Sequence, residues 1–276
     1  RDEAWAEQER SRIGEERFRR EHECEFLIFD ETLISSLTLA DLEGIPPVET
    51  TGQVRWFKKP TPGHTYMVSL DPSMGTGGDF AAIQVFELPT FEQIGEWHHN
   101  MTPMNQQVRI LQGINKHIHD TILERDASAT PQIFYSMENN TIGEAALMRV
   151  MDIGEENIMG MFLSEPIRKG HRRKFRRGFN TTAKHKIDAC TKFKELVEGG
   201  KMKINSQLLI SEMKDFVAAG LSYKAKPGQH DDLVSACLLM TRMMKVLADF
   251  DPKIFEKWTD RTSEITPMPI FGSFTG

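Results

Sequence analysis

Short apolar runs that end on a carboxylate recur along this chain. Tyr66 to Leu70 (YMVSL) runs into Asp71, a turn rich in glycine follows, and Ala81 to Leu88 alternates in polarity. That pattern predicts a strand, a tight turn and an antiparallel partner. Residues 93–99 predict a third strand. After Thr102 and Pro103, the positions of Val108, Ile110, Leu111, Ile114 and Ile118 predict a helix from Asn105 to about Ile122 with one apolar face. QIFYSM, 132–137, is bounded by Pro131 and predicts a strand that delivers Glu138; a helix over 142–151 and a fifth strand within IMGMFL, 158–163, follow. Two further helices are predicted, from about Thr182 to Glu198, ended by Gly199 and Gly200, and over Ser206 to Phe216. SYKAK, 222–226, reads as a short extended piece. Beyond Pro227 and Gly228, Leu233, Val234, Ala236, Cys237, Leu238 and Met240 mark the buried face of a last helix, Asp231 to about Leu247. The order makes an α/β fold with a mixed five-stranded sheet flanked by helices.

The two ends read differently. Residues 1–30 are a charged helical pattern with Trp5, Ile13, Phe18 and Phe26 as spaced apolar anchors, and Thr32 to Leu42 is a short helical or extended piece. Pro46, Pro47 and Pro60 mark 46–63 as a linker, which divides a 1–45 helical extension from a main domain over 64–250. Residues 251–276 read as a loose tail. The start without methionine reads as a fragment of a longer protein. Met240, Met243 and Met244 read as core packing.

Charge adds one feature. The chain carries 34 Lys and Arg against 40 Asp and Glu, a formal −6, which argues against a uniformly basic nucleic-acid binder. Within it, RKGHRRKFRRGFNTTAKHK, 168–186, holds Arg168, Lys169, Arg172, Arg173, Lys174, Arg176, Arg177, Lys184 and Lys186 and no acid. Phe175 and Phe179 interleave the charge, which favours a polyanion-contacting hairpin over a solvated loop, because phosphate neutralisation drives duplex binding. Cys24, Cys190 and Cys237 are odd in number and widely spaced, which suggests a reducing compartment and neither a disulfide framework nor a zinc knuckle. No apolar run approaches the length needed to cross a membrane, and no signal-peptide core is present.

Three acidic positions carry the candidate chemistry: Asp71 and Glu138 at strand ends, and the pair Asp231 and Asp232 at a helix start. Singly, each reads as a turn or cap acid. Together they suit a hard divalent cation, which prefers carboxylate oxygen and water, and two such ions about 3.5–4 Å apart can clamp both oxygens of a phosphodiester displacement. His230 reads either as a partner of these acids or as a structural histidine; Asn139 and Asn140 either orient Glu138 or close the strand.

SLDPSMGTGGDFAAIQVFE, YSMENNTIGEAAL and KPGQHDDLVSACLL resemble, in order and spacing, the nuclease domain of the large terminase subunit of tailed bacteriophages, over about residues 64–250. The resemblance implies a ribonuclease H-like fold and a metal-dependent DNA endonuclease that cuts concatemeric viral DNA during genome packaging. Asp71 then matches the family's first-strand aspartate, Glu138 its glutamate, and Asp231 or Asp232 its third acid, with Asp79, His230 and Asn139 in support. It also implies Mg²⁺ or Mn²⁺, two ions, as cofactor. The implied partners are double-stranded DNA, the ATPase domain of the same full-length protein, the portal and the small terminase subunit. The implied place is the host cytoplasm, transiently at the procapsid. No GxxxxGK[ST] loop is present, so residues 1–45 are expected to be only the end of that ATPase domain. The rival readings are another ribonuclease H-like nuclease, such as a Holliday-junction resolvase, and a non-catalytic DNA-docking module.

Overall fold

The structure, a computed structural model, describes residues 3–13, 18, 31–166 and 177–250. One mixed sheet organises it. Its strands are β1 (Glu49–Thr51), β2 (Val54–Trp56), β3 (Thr65–Asp71), β4 (Ala81–Leu88), β5 (Glu92–His99), β6 (Gln132–Met137) and β7 (Met161–Phe162), in the spatial order β1-β2-β5-β4-β3-β6-β7. The five expected strands are all present. The β3-β4-β5 meander is antiparallel, and β6 and β7 add in parallel to β3 through helical crossovers. The two additional strands lie in the stretch expected to be a linker: Thr50 pairs with Arg55, and Trp56 pairs with Gly95 of β5. The prolines there bracket a small hairpin, and the indole of Trp56 is buried against the backbone of Gly95.

Both faces of β3 are covered, which explains its unbroken apolar run. Tyr66, Val68 and Leu70 point to a core completed by α3 (Met104–Arg125) and α4 (Thr141–Ile153). Met67 points to the opposite core, filled by α5 (Ala183–Glu198), α6 (Gln207–Asp215) and α7 (Asp232–Phe250). On that same face the Ser69 hydroxyl donates to the Ala236 carbonyl of α7 at 2.8 Å. The remaining described elements are α1 (Glu3–Ile13), α2 (Ser36–Asp41), a 3-10 turn at Glu155–Asn157, and a separate two-stranded ribbon, β8 (Phe216–Ala219) with β9 (Ser222–Ala225). Leu33, Ile34 and Leu39 bury in the α5–α7 core, so residues from 31 onward pack with the sheet domain. Among the described residues no helix is long and apolar enough to cross a membrane. Cys190 and Cys237 are buried free thiols, while Cys24 lies outside the described residues.

A buried polar network fastens α6 to β5. The Gln93 side-chain oxygen accepts from the backbone N–H groups of Asn205 (2.9 Å) and Ser206 (2.8 Å), and the Ser206 hydroxyl donates to Glu96 at 2.6 Å. Ser206 also caps α6 by accepting from the Leu209 N–H at 3.1 Å. Arg55 neutralises Glu96 across 3.0 Å.

Candidate metal centre

Strand periodicity places the first two acids. Side chains two residues apart share a face, so Asp71 stands with Met67 and Ser69 on the α7 side of β3. By the same count Glu138 stands with Phe134 and Ser136 on the α7 side of β6. Leu70 pairs with Met137 in the parallel register, and the Glu138 N–H donates to the Leu70 carbonyl at 3.1 Å. The two carboxyls therefore emerge side by side at the C-terminal ends of adjacent parallel strands, where they hydrogen-bond each other.

The third element is the start of α7. Leu233, Val234, Ala236 and Cys237 are fully buried, which presses the helix onto β3 and β4 and brings Asp231 and Asp232 over the strand ends. Asp71, Asp79, Phe80, Glu138, Asp231 and Asp232 line one open cleft of about 300 Å³, with Ser235 and Gly143 in its wall. Burial pushes the Asp71 carboxyl well above the usual carboxylate range, and the charges of Glu138, Asp232 and Asp231 push it the same way. Asp232 is raised to about 6, by burial first and then by Asp231, against the opposing pull of the Phe80 N–H and of His230.

Each carboxylate in the Asp231–Asp232 pair has its own setting. Asp231 accepts from the Ala225 N–H at 3.3 Å and lies 3.8 Å from the Lys186 ammonium. Asp232 lies 3.7 Å from His230, and its Oδ2 is buried with no hydrogen-bond partner. Phe80 organises this corner: its ring stacks on His98 at 4.1 Å between centroids and meets the edge of His230 at 4.8 Å. Behind it, Glu212 of α6 reaches the base of α7. Burial raises Glu212 to about 8, with the charges of Asp232 and Asp231 adding to the shift and the backbone N–H groups it accepts from opposing it. Burial lowers His98 to about 4, helped by the charges of Arg55, His230 and His99. The His98 Nε2 and Glu212 Oε1 are 3.5 Å apart, and neither atom has a hydrogen-bond partner.

Four convergent carboxylates, a lone buried oxygen on Asp232 and a mutually repelling set of charges fit a hard divalent cation bound through oxygen. Among the described residues no group of three or more His, Cys, Asp or Glu side chains already stands in a metal-holding arrangement, so these carboxylates would have to draw together around a cation. An open carboxylate cleft of this kind suits a hard divalent cation that keeps part of its own water shell.

The supporting residues divide. Asp79 is exposed on the cleft rim, and His230 sits beside Asp232 at 3.7 Å. The Asn139 side chain makes no hydrogen bond to Glu138: it is buried, and its amide donates to the Arg177 carbonyl at 2.7 Å while its backbone N–H donates to the Phe179 carbonyl, closing the strand end onto the segment after the basic stretch. Of the nine basic residues, Arg168 to Arg176 lie outside the described residues. Arg177 is ion-paired with Glu155 and lies over the Phe162 ring at 5.5 Å, so internal contacts account for its charge. Lys184 is exposed, whereas Lys186 joins the acidic cleft through Asp231. Sequence pattern missed Phe80, His98, Gly143 and Glu212. Gly143 is the only one with a visible signal, a glycine within a helical stretch: a Cβ there would stand 1.9 Å from the Glu138 carbonyl oxygen.

A mixed sheet with carboxylates gathered at the ends of its central parallel strands, under the start of the last helix, defines a ribonuclease H-like protein. Residues 68–243 match the Terminase RNaseH-like domain family, and the chain belongs to that family. Its fold is similar to that of the large terminase nuclease from thermophilic phage G20c with bound magnesium, at 16% identity and a TM-score of 0.56, covering 78% of this chain and 97% of that one. The same G20c nuclease with bound cobalt matches with the same identity, TM-score and coverage. The Thermus phage P74-26 large terminase nuclease domain matches at 16% identity and a TM-score of 0.52, covering 73% of this chain and 90% of that one.

Proposed function

We propose that this chain is the nuclease part of a large terminase, which cuts double-stranded concatemeric viral DNA during genome packaging with Mg²⁺ or Mn²⁺ bound by Asp71, Glu138, Asp231 and Asp232. The observation that carries the reading is the convergence of four carboxylates, from three remote segments, on one open cleft. Family membership supports it, as does the bound magnesium of the G20c nuclease.

Two divalent ions held there would supply Lewis-acid polarisation of a phosphodiester and activation of water for in-line attack. The chain's own residues do the holding. Asp71 and Glu138 offer oxygens from rigid strand ends, and Asp232 offers its unpartnered oxygen from the first turn of α7. Lys186 offsets part of the negative charge at Asp231, and Phe80 walls one side of the cleft and donates its N–H to Asp232. In this reading Lys184 and the basic stretch before it contact phosphates without reading sequence. Residues 1–45 would be the end of the ATPase domain of the same full-length protein, its stretch from 31 onward seated on the nuclease core, and that domain, with the portal and small subunit, would bring DNA to the cleft.

The test is conversion of supercoiled plasmid to linear and degraded DNA by wild type and Glu138→Ala, with Mg²⁺, Mn²⁺ or chelator. Metal-dependent, sequence-tolerant cutting that disappears in the variant is expected. Folded wild-type protein that cuts in neither metal overturns the nuclease reading for this chain.

A further inference from the structure

The helix that carries the acid pair is capped from outside itself. The Asp231 carbonyl accepts the Ser235 N–H at 2.7 Å, which makes Asp231 the N-cap of α7. An aspartate there ordinarily turns its carboxylate back onto the N–H groups of the second and third helical residues, here Leu233 and Val234. Those donors are taken. The Glu212 Oε2 accepts from Leu233 at 2.8 Å and from Val234 at 3.1 Å. Asp231 is instead turned outward to the Ala225 N–H and Lys186, on the wall of the cleft.

We infer that Glu212 is a positioning residue: by capping α7 in place of Asp231, it keeps the Asp231 carboxylate in the cleft and available to a divalent cation. Three features suit Glu212 to the task. It comes from a different helix, so its reach is independent of the α7 backbone. Its helix is anchored at its start by Ser206 and the Gln93 network, which fixes where the side chain begins. Its carboxyl is buried and faces His98, whose ring packs on Phe80, so it has few alternative positions. Without Glu212, two buried N–H donors would lose their acceptor, and the residue whose N-cap position suits it to replace Glu212 is Asp231 itself. The cap would be restored and the cleft would lose a carboxylate.

The inference rests on the metal-centre reading, and two measurements on the full chain separate the two. Calorimetric titration with Mn²⁺ should show about 10- to 100-fold weaker binding for Glu212→Ala, as for other groups that orient metal ligands. Glu212→Gln keeps an acceptor oxygen at the same reach and should bind Mn²⁺ like the wild type; Glu212→Asp keeps the charge but is one methylene too short and should resemble Glu212→Ala. A crystal structure of metal-free Glu212→Ala should show the Asp231 carboxylate on the Leu233 and Val234 N–H groups. Unchanged Mn²⁺ affinity in Glu212→Asp, equal loss in Glu212→Gln, or an Asp231 side chain that stays in the cleft each overturns the inference. The Gln and Asp variants decide it if Glu212→Ala does not fold. A wild type that binds no Mn²⁺ overturns the metal-centre reading instead, and the Asp231 position still tests the capping.

Discussion

Replacing Gly143 by alanine adds one methyl group at the third residue of α4. In an unencumbered helix that change stabilises by roughly 0.5–1 kcal/mol, because glycine loses more backbone entropy on folding. Here the new Cβ would stand 1.9 Å from the Glu138 carbonyl oxygen, more than 1 Å inside the 3.0 Å that such contacts essentially never breach. The near atom is backbone, so α4 or the Glu138 peptide must shift by about that distance. Overpacking of this kind costs ~1–3 kcal/mol, which exceeds the entropic gain, so a net loss of ~1–2 kcal/mol is expected. For a domain of this size that lowers the melting temperature by ~2–8 °C. Displacement of a carboxylate by about 1 Å should reduce DNA cutting by about 10²-fold. Gly113 supplies the control: it lies exposed within α3, and a Cβ there meets nothing within 4 Å. Gly113→Ala should therefore raise the melting temperature and leave cutting unchanged. The assay is plasmid cleavage in Mn²⁺ beside thermal denaturation of both variants. Normal cutting by Gly143→Ala, or the same sign of stability change in both variants, would refute the reasoning.

Asp71→Asn should abolish cutting and raise the melting temperature of the metal-free protein at pH 8, because it removes a charge that burial and three carboxylates oppose; a lower melting temperature without metal would contradict the repulsive site described above. Metal-free stability should fall as pH rises from about 6.5 to 8. A carboxyl whose folded pKa is raised, as in Glu212 at about 8 against an ordinary 4.5, contributes stability at low pH that is lost as pH rises through the folded value. His98, lowered to about 4, acts in the opposite sense but only below about its ordinary 6.5, which leaves the upper window to Glu212. Urea midpoints across this range measure the slope, which should flatten in Glu212→Gln.

Much of the architecture was legible because it is written in local periods. The apolar runs of β3, β4 and β6 and the 3.6-residue face of α3 are repeated over enough positions to define both type and extent. β1 and β2 were not legible: each is three residues long among prolines, and they become strands only because β5 offers them an edge. β8 was missed for the same reason, a four-residue strand that exists by pairing with β9. The candidate acids were visible through their places at element ends. Their supports were not, because Glu212 lies within an ordinary amphipathic helix and His98 within a buried strand, and neither position has a local pattern that points to a helix start far along the chain.

The sequence by itself determined that Asp71 and Glu138 each end an apolar strand and that Asp231 and Asp232 open the last helix; that β3 and β6 lie parallel in a register that sets both strand-end acids on one face is tertiary. Only the tertiary structure decided what they meet. The packing of Leu233 and Val234 brings Asp231 and Asp232 above those strand ends, and Glu212, a segment away, takes the helix donors that Asp231 would otherwise satisfy. Such relations are set by long-range packing of buried surface and by competition for backbone donors, and neither leaves a period in the chain.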